Sequence, residues 1–281
     1  MTTSSLAPRV FVITGCASGI GRHLAQRAAA AGHQVLATDV NYELLAAEAD
    51  RLGWSPPRVQ IGQLDVRDPA AWQATIDRAI QAWGRIDVLL NVAGIIQPGN
   101  VHEISSERML MHIEVNARGV MLGTQTASRH MVSQGQGHIV NISSLAGVAP
   151  IPGIASYTAS KFAVRGFTLA VAHELAPRGV SVSCVCPDAV ETPMLDLQMS
   201  HDAAALTFSS GKFLTVEDVG RVIFEKVLVR RPLEVLIPRH RGLLAKLTSL
   251  APWSESWLLK GLLRDGRKRQ AEYRQSKEGR S

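Results

Sequence analysis

Tyr157 and Lys161 stand four residues apart in Tyr157-Thr-Ala-Ser-Lys161, where a segment with helical apolar spacing begins. On a helix this separation puts both side chains on one face, about one turn apart. A phenol with an ordinary pKa near 10 is a poor base at neutral pH. An ammonium one turn away favours the phenolate and brings the phenol toward acid/base work. Such a pair also arises by chance on solvated helices, so its weight depends on what stands around it. Ser144, 13 residues upstream, follows the apolar run His138–Ser143, and its hydroxyl can bond a substrate oxygen from that strand end. Ser143 points to the opposite side if strand geometry persists. Asn116 is an amide in the otherwise apolar run Ile113-Glu-Val-Asn116, and a buried amide needs partners.

The elements that must position these groups alternate along the chain. Short β-rich runs are expected at Val10–Thr14, Gln34–Asp39, Val59–Asp65, Ile86–Asn91, His138–Ser143, Val180–Val185 and Leu233–Pro238. Helical spacing falls between them, at Gly21–Ala31, Ala70–Ala82, Ser105–Val132 and Thr158–Ala176. Alternation of this kind predicts an α/β, Rossmann-like, doubly wound parallel sheet of about seven strands with helices on both faces. No repeat or low-complexity linker divides residues 10–240, so a single catalytic domain over 1–240 is expected, with a basic amphipathic extension over 241–281. Residues 194–214, mixed in character, read as a lid or substrate loop.

After the first strand comes Thr14-Gly15-Cys16-Ala17-Ser18-Gly19-Ile20-Gly21, opening the first helix. Glycines at this turn allow main-chain N–H groups to approach a pyrophosphate, and the helix N-terminus adds partial positive charge. Gly15, Ser18, Gly19, Ile20 and Gly21 are the expected contacts. Asp39 closes the second strand, where a carboxylate accepts from adenine-ribose hydroxyls and repels a 2′-phosphate. No basic residue follows in Val40-Asn41-Tyr42, so NAD is the expected cofactor. Asp65-Val66 and Asn91-Val92-Ala93-Gly94 close the third and fourth strands on the ligand-binding edge, and the small Ala93-Gly94 pair leaves room for the cofactor.

Taken together, the glycine loop ending at Gly21, Asn91-x-Ala93-Gly94, Asn116, Ser144 and Tyr157-x-x-x-Lys161 resemble the short-chain dehydrogenase/reductase family in order and spacing over residues 9–240. The resemblance implies Tyr157 as general acid/base and Lys161 as its activator and a ribose ligand. It also implies Ser144 as orienter of the substrate oxygen and Asn116 as holder of a water in the proton relay. Thr192 would bond the nicotinamide carboxamide, with Pro187 and Val190 beside it. The implied reaction is NAD(H)-dependent interconversion of a secondary alcohol and a ketone. Two departures stand out: Val92 where the family usually has Asn, and Asp188 where it usually has Gly.

The residues expected to line the substrate pocket are Gln97, Ala146, Val148, Ile151, Met194, Leu195 and Leu197. They are mostly apolar with no Arg or Lys among them, which favours a lipophilic, steroid-like or long-chain substrate. Three cysteines, Cys16, Cys184 and Cys186, are too few for a disulfide framework or a four-ligand metal site, and no metal is expected. The longest apolar stretch, Leu89–Ile96, is too short to span a bilayer, and Met1–Arg9 does not read as a signal peptide, so a cytoplasmic protein is expected.

The net charge of +6 is uneven. Residues 228–281 hold 13 basic and 5 acidic residues, whereas the rest of the chain is net negative. The tail interleaves Leu243, Leu244, Leu247, Leu250, Trp253, Trp257, Leu259, Leu262 and Leu263 with Arg and Lys. That pattern suits a helix packed on the body or a second subunit, or a peripheral contact with an anionic membrane. Nucleic acid is set aside because the body is acidic. A homodimer or homotetramer through the two long helices is implied by the family. The alternative function is a dinucleotide-binding regulatory or scaffold protein without turnover.

Overall fold

The computed structural model describes residues 8–250 and 255–278, with side chains described from residue 260 in the second segment. β1 (Val10–Thr14), β2 (Gln34–Asp39), β3 (Val59–Gln63), β4 (Val88–Asn91), β5 (Gly137–Ile142), β6 (Val180–Pro187) and β7 (Glu234–Ile237) form one sheet. The order is β3-β2-β1-β4-β5-β6-β7, and every pairing is parallel. Alternation of side chains along β1 divides the core. Phe11 and Ile13 pack on one face with Leu24, Val35, Val140 and Ile223, while Val12 packs on the other with Leu36, Trp72, Leu89 and Ile139. Both faces are therefore covered, which is why the inner strands β1 and β4 read as nearly continuous apolar runs, whereas the edge strand β3 does not. All five β1 residues are buried, and each full-size apolar side chain so placed contributes roughly 1.5–3 kcal/mol.

The flanking helices are α1 (Gly19–Ala30), α2 (Tyr42–Leu52), α3 (Pro69–Trp83), α4 (Ser106–His112), α5 (Gly119–Gln134) and α6 (Ala155–Leu175). Their ends follow local chemistry. Asn41 accepts from Leu44 N and Asp68 from Ala70 N, satisfying orphan amides at the starts of α2 and α3. Pro69 occupies the first turn of α3, where its missing N–H is harmless.

The long helix expected over Ser105–Val132 is present but not uniform. A π-helical turn, Ile113–Arg118, joins α4 to α5 and carries Asn116. Such widened turns cluster at functional sites. α6 begins three residues earlier than its apolar spacing suggested, which seats Tyr157 within its first turn.

Beyond β6 lie α7 (Pro193–Asp196), a 3-10 helix (Asp202–Ser209), α8 (Val216–Val222), a second π-helical turn (Ile223–Val227) and α9 (Leu228–Arg230). After β7 the tail forms α10 (Arg239–Leu250) and α11 (Glu255–Glu278). Met1–Ala7 and Trp253 lie outside the described residues, as do the side chains of Trp257 and Leu259. Among the described residues no helix is long and apolar enough to cross a membrane, and no cluster of His, Cys, Asp and Glu could hold a metal ion.

Candidate active site

The sheet order reverses between β1 and β4, and a crevice opens there at the carboxyl ends of the strands. Its floor is the glycine loop. Thr14 Oγ1 accepts from both Val92 N and Ala93 N at 3.0 Å, fastening the β1 turn to the β4 turn. Gly15 has φ +73°, and a Cβ there would lie 3.0 Å from Ala93 Cα. A Cβ on Gly21 would lie 2.1 Å from the Gly15 carbonyl oxygen, so no larger residue fits. Ser18 precedes α1 without spending its side chain on the helix end, and the first turn holds no acidic residue. Unsatisfied amides and an uncompensated positive helix end make this cradle fit a dinucleotide phosphate.

Asp39 is held against the same loop, its Oδ2 accepting from Ala17 N and its Oδ1 from Asn41 N, both at 2.9 Å. Asp65 and Asn91 are committed elsewhere. Arg67 donates to both Asp65 oxygens and holds that carboxyl below its usual range. Asn91 is buried, donating to Asn141 Oδ1 at 2.8 Å within a polar network under the sheet, so its side chain braces β4 against β5 and does not face the crevice. Val66 packs against Gly119, where a Cβ would lie 2.7 Å from it, and its carbonyl accepts from Trp72 Nε1. Val92 packs toward the core and lines the crevice.

Tyr157, Ser144 and Lys161 converge at the inner end of this space. Tyr157 and Ser144 share a hydrogen bond. Lys161 Nζ lies 5.6 Å from the Tyr157 ring centroid and donates to Ile142 O at 2.9 Å. A Cβ on Gly94 would lie 3.2 Å from Asn116 Oδ1 and 3.6 Å from Lys161 Nζ, so these groups close over that glycine. Asn116 accepts from Ile95 N at 2.8 Å and donates to Ile95 O and Ser160 Oγ, both at 3.0 Å. Its amide is thus a fastener between the β4 turn, the π-helical turn and α6. Ser143 faces away from Ser144, donating to Lys161 O at 2.8 Å.

The electrostatics differ from the sequence expectation. Burial pushes Tyr157 up to about 12, with the Ser144 hydrogen bond opposing it. Burial pushes Lys161 down to about 8. Spacing on a helix foretold the neighbouring ammonium but not that both groups are desolvated, and desolvation is the leading cause of both shifts. His112, buried and held neutral by desolvation, meets the Tyr157 ring edge-on at 6.4 Å and accepts from Gln97 N.

Of the expected pocket residues, Ala146, Ile151, Met194 and Leu195 line the space, as do Pro187, Val190 and Thr192. Gln97, Val148 and Leu197 do not. Gln97 is held by its backbone to His112, Val148 packs with Leu145, Cys184 and Cys186, and Leu197 is 60% exposed. Sequence reasoning covered Gln198 and Leu206 only within the 194–214 loop, and it overlooked Ile96, Ile154 and, from the tail, Arg241, Leu244 and Leu262. No local signal could have found the tail residues, because only long-range packing returns them to the pocket.

A cation does therefore reach the pocket. It is paired: Arg241 meets Asp188, whose carboxyl is raised by burial and lowered in part by that guanidinium. The departure at Asp188 is thereby explained, since it ties the end of β6 to α10. Cys184 and Cys186 lie 3.6 Å apart in the core, and their hydrogen bond and burial keep the Cys184 thiol protonated.

The sequence profile of the short chain dehydrogenase family matches residues 9–203. A 2,5-dichloro-2,5-cyclohexadiene-1,4-diol dehydrogenase from Sphingobium indicum is 39% identical over 189 residues, covering 67% of this chain and 76% of that one. A 3-alpha-(or 20-beta)-hydroxysteroid dehydrogenase from Mycobacterium tuberculosis is 37% identical over 191 residues, covering 68% and 72%. The crystal structure of a protein from Burkholderia phymatum in complex with NAD superposes with a TM-score of 0.80 at 29% identity, covering 90% of this chain and 97% of that one.

Proposed function

Because this chain belongs to the short-chain dehydrogenase/reductase family and is an oxidoreductase of CH–OH groups, we propose that it interconverts a lipophilic secondary alcohol and its ketone with NAD(H). The observation that carries the reading is the meeting of Tyr157, Ser144 and Lys161 at the inner end of a largely apolar pocket beside the glycine cradle. When bound, the nicotinamide supplies the hydride acceptor or donor.

The chain supplies the rest. In the reducing direction Tyr157 gives its proton to the nascent alkoxide, and a phenol raised by burial is fully protonated for that at neutral pH. Ser144 hydrogen-bonds the same oxygen and fixes its place against Tyr157. Lys161 stands beside the phenol and places positive charge where negative charge is left as Tyr157 gives up its proton in the reducing direction. Thr14, Asn116 and Gly94 hold the two turns in register, which keeps the reacting groups within reach of one another. Asp39, fixed at the cradle by Ala17 and Asn41, supports NAD over NADP by charge repulsion of a 2′-phosphate.

The apolar wall formed by Ile96, Ile154, Met194 and Leu206 supports a lipophilic substrate. Exposed Leu110, Ile113 and Phe162 on the long helices support association of two or more copies. The tail divides in two. α11 packs on the body, whereas α10 exposes Leu243, Leu247 and Leu250 on one face, with Lys260, Arg267 and Lys268 exposed nearby in sequence. That combination supports peripheral contact with an anionic membrane, at which a lipophilic substrate is concentrated. The test is a screen of sterols, long-chain and cyclic secondary alcohols with NAD⁺, followed by NADH absorbance. Turnover that survives unchanged in Tyr157→Phe would overturn the mechanism.

A further inference from the structure

The last helix carries a row of polar side chains turned toward the substrate loop. Gln270 is only 3% exposed, and its Nε2 donates to the main-chain carbonyls of Gln198 and His201, both at 2.9 Å. One turn on, Arg274 donates to Met199 O at 2.7 and 3.1 Å. Tyr273 donates to Asp196 Oδ1 at 2.7 Å, and Lys277 meets the same oxygen at 2.9 Å. Arg269 reaches Ser209 O. α11 thus adds side-chain donors to backbone carbonyls along 198–209, a second one at Gln198 O and His201 O, which also accept from His201 N and Ala204 N.

Steric contact is equally close. A Cβ on Gly266 of α11 would lie 2.2 Å from Ala205 O. On the opposite side Gly153, at φ +80°, would put a Cβ 1.8 Å from Ala203 O. The 203–205 backbone is therefore seated between two glycines, one from the body and one from the tail. Ala204, Ala205 and Phe208 are completely buried, and Phe208, Phe213 and Tyr273 pack as three mutually contacting rings at 5.4–5.7 Å. Gln198, Leu206, Thr207 and Ser209 of this segment line the pocket, and so does Leu262 of α11 itself.

We propose that α11, which lies beyond the matched residues 9–203, is a specificity determinant. It fixes Gln198–Ser209 as a preformed wall of the substrate pocket, with Gln270 as the positioning residue and Leu262 as part of the wall. The selection of substrate by shape rests on the dehydrogenase reading; the positioning of the loop does not. Preorganisation favours ligands that fit the wall, because the loop's ordering entropy is met on folding and not on binding.

The experiment compares wild type, Gln270→Ala and the milder Tyr273→Phe by hydrogen exchange in the full chain with NADH bound. Loss of two hydrogen bonds to buried carbonyls raises exchange over 196–209 by about tenfold or more in Gln270→Ala. A smaller rise is expected in Tyr273→Phe. Exchange in the sheet and the Kd for NADH stay at wild-type values. With a bulky bicyclic ketone KM rises about tenfold, while kcat for a small cyclic alcohol is retained, because only ground-state positioning is lost. Exchange over 196–209 that is unchanged in both variants overturns the proposal, and so does a rise in exchange with KM unmoved. A wild type that turns over none of the alcohols counts against the dehydrogenase reading alone, and exchange then decides the loop's positioning.

Discussion

Replacing Lys161 by Met removes an ammonium that the fold holds at a cost. Lys161 is 4% exposed, and desolvation lowers it from 10.5 to about 8. At 1.36 kcal/mol per pKa unit this difference corresponds to about 3 kcal/mol of penalty for carrying the charge in the folded state. Met is of similar length and adapts to irregular space. Its introduction leaves Ile142 O without its donor, a loss of about 1 kcal/mol. The variant is therefore expected to be about 2 kcal/mol more stable than wild type at pH 7 while losing activity by roughly 10²–10⁴-fold.

The pH dependence gives the decisive reading. A lysine whose folded pKa lies below its unfolded value binds fewer protons when folded, so its contribution to wild-type stability rises with pH between about 8 and 10.5. The advantage of Lys161→Met is thus full below pH 8 and gone by about pH 10.5. Urea unfolding followed by tryptophan fluorescence at pH 7 and pH 10 measures it. A stability gap of equal size at both pH values would refute the argument that a buried charge sets it.

Tyr157→Phe keeps the ring and removes the proton donor, so kcat should fall by roughly 10²–10⁴-fold with NADH affinity little changed, as read by fluorescence titration. Asp39→Ala removes the carboxylate held at the cradle by Ala17 and Asn41. The ratio of kcat/KM for NAD over NADP should drop by tenfold or more, about 1.4 kcal/mol, and an unaltered ratio would refute the role given to Asp39. Leu247→Asp with Leu250→Asp alters residues that are 65% and 76% exposed. It should leave turnover of a water-soluble alcohol intact and abolish cosedimentation with anionic vesicles, and wild type that does not sediment with them would sink the membrane reading.

Much of the scaffold was legible because it depends on local chemistry. A strand buried on both faces must be apolar throughout, a loop that approaches phosphate must lack Cβ atoms at Gly15 and Gly21, and two groups on one helix face must stand four apart. Those constraints act on neighbouring residues, so they leave marks in order and spacing. The sign of the Tyr157 shift was not legible, because burial is a sum over residues distant in sequence. Asn91 looked like a crevice residue by its place at a strand end, yet its amide turns under the sheet to Asn141.

Tyr157 and Lys161, with Ser144 and Asn116, were thus picked out by the sequence as a set, and the chemistry proposed for them rests on their types. The tertiary structure decided what surrounds them. It brought Arg241 to Asp188, turned Leu262 into a wall of the pocket, and laid Gln270 against Gln198 and His201 across more than sixty residues of chain. Contacts of that span have no periodicity to betray them, since the helix pattern of α11 is the same whether its polar face meets water or a loop.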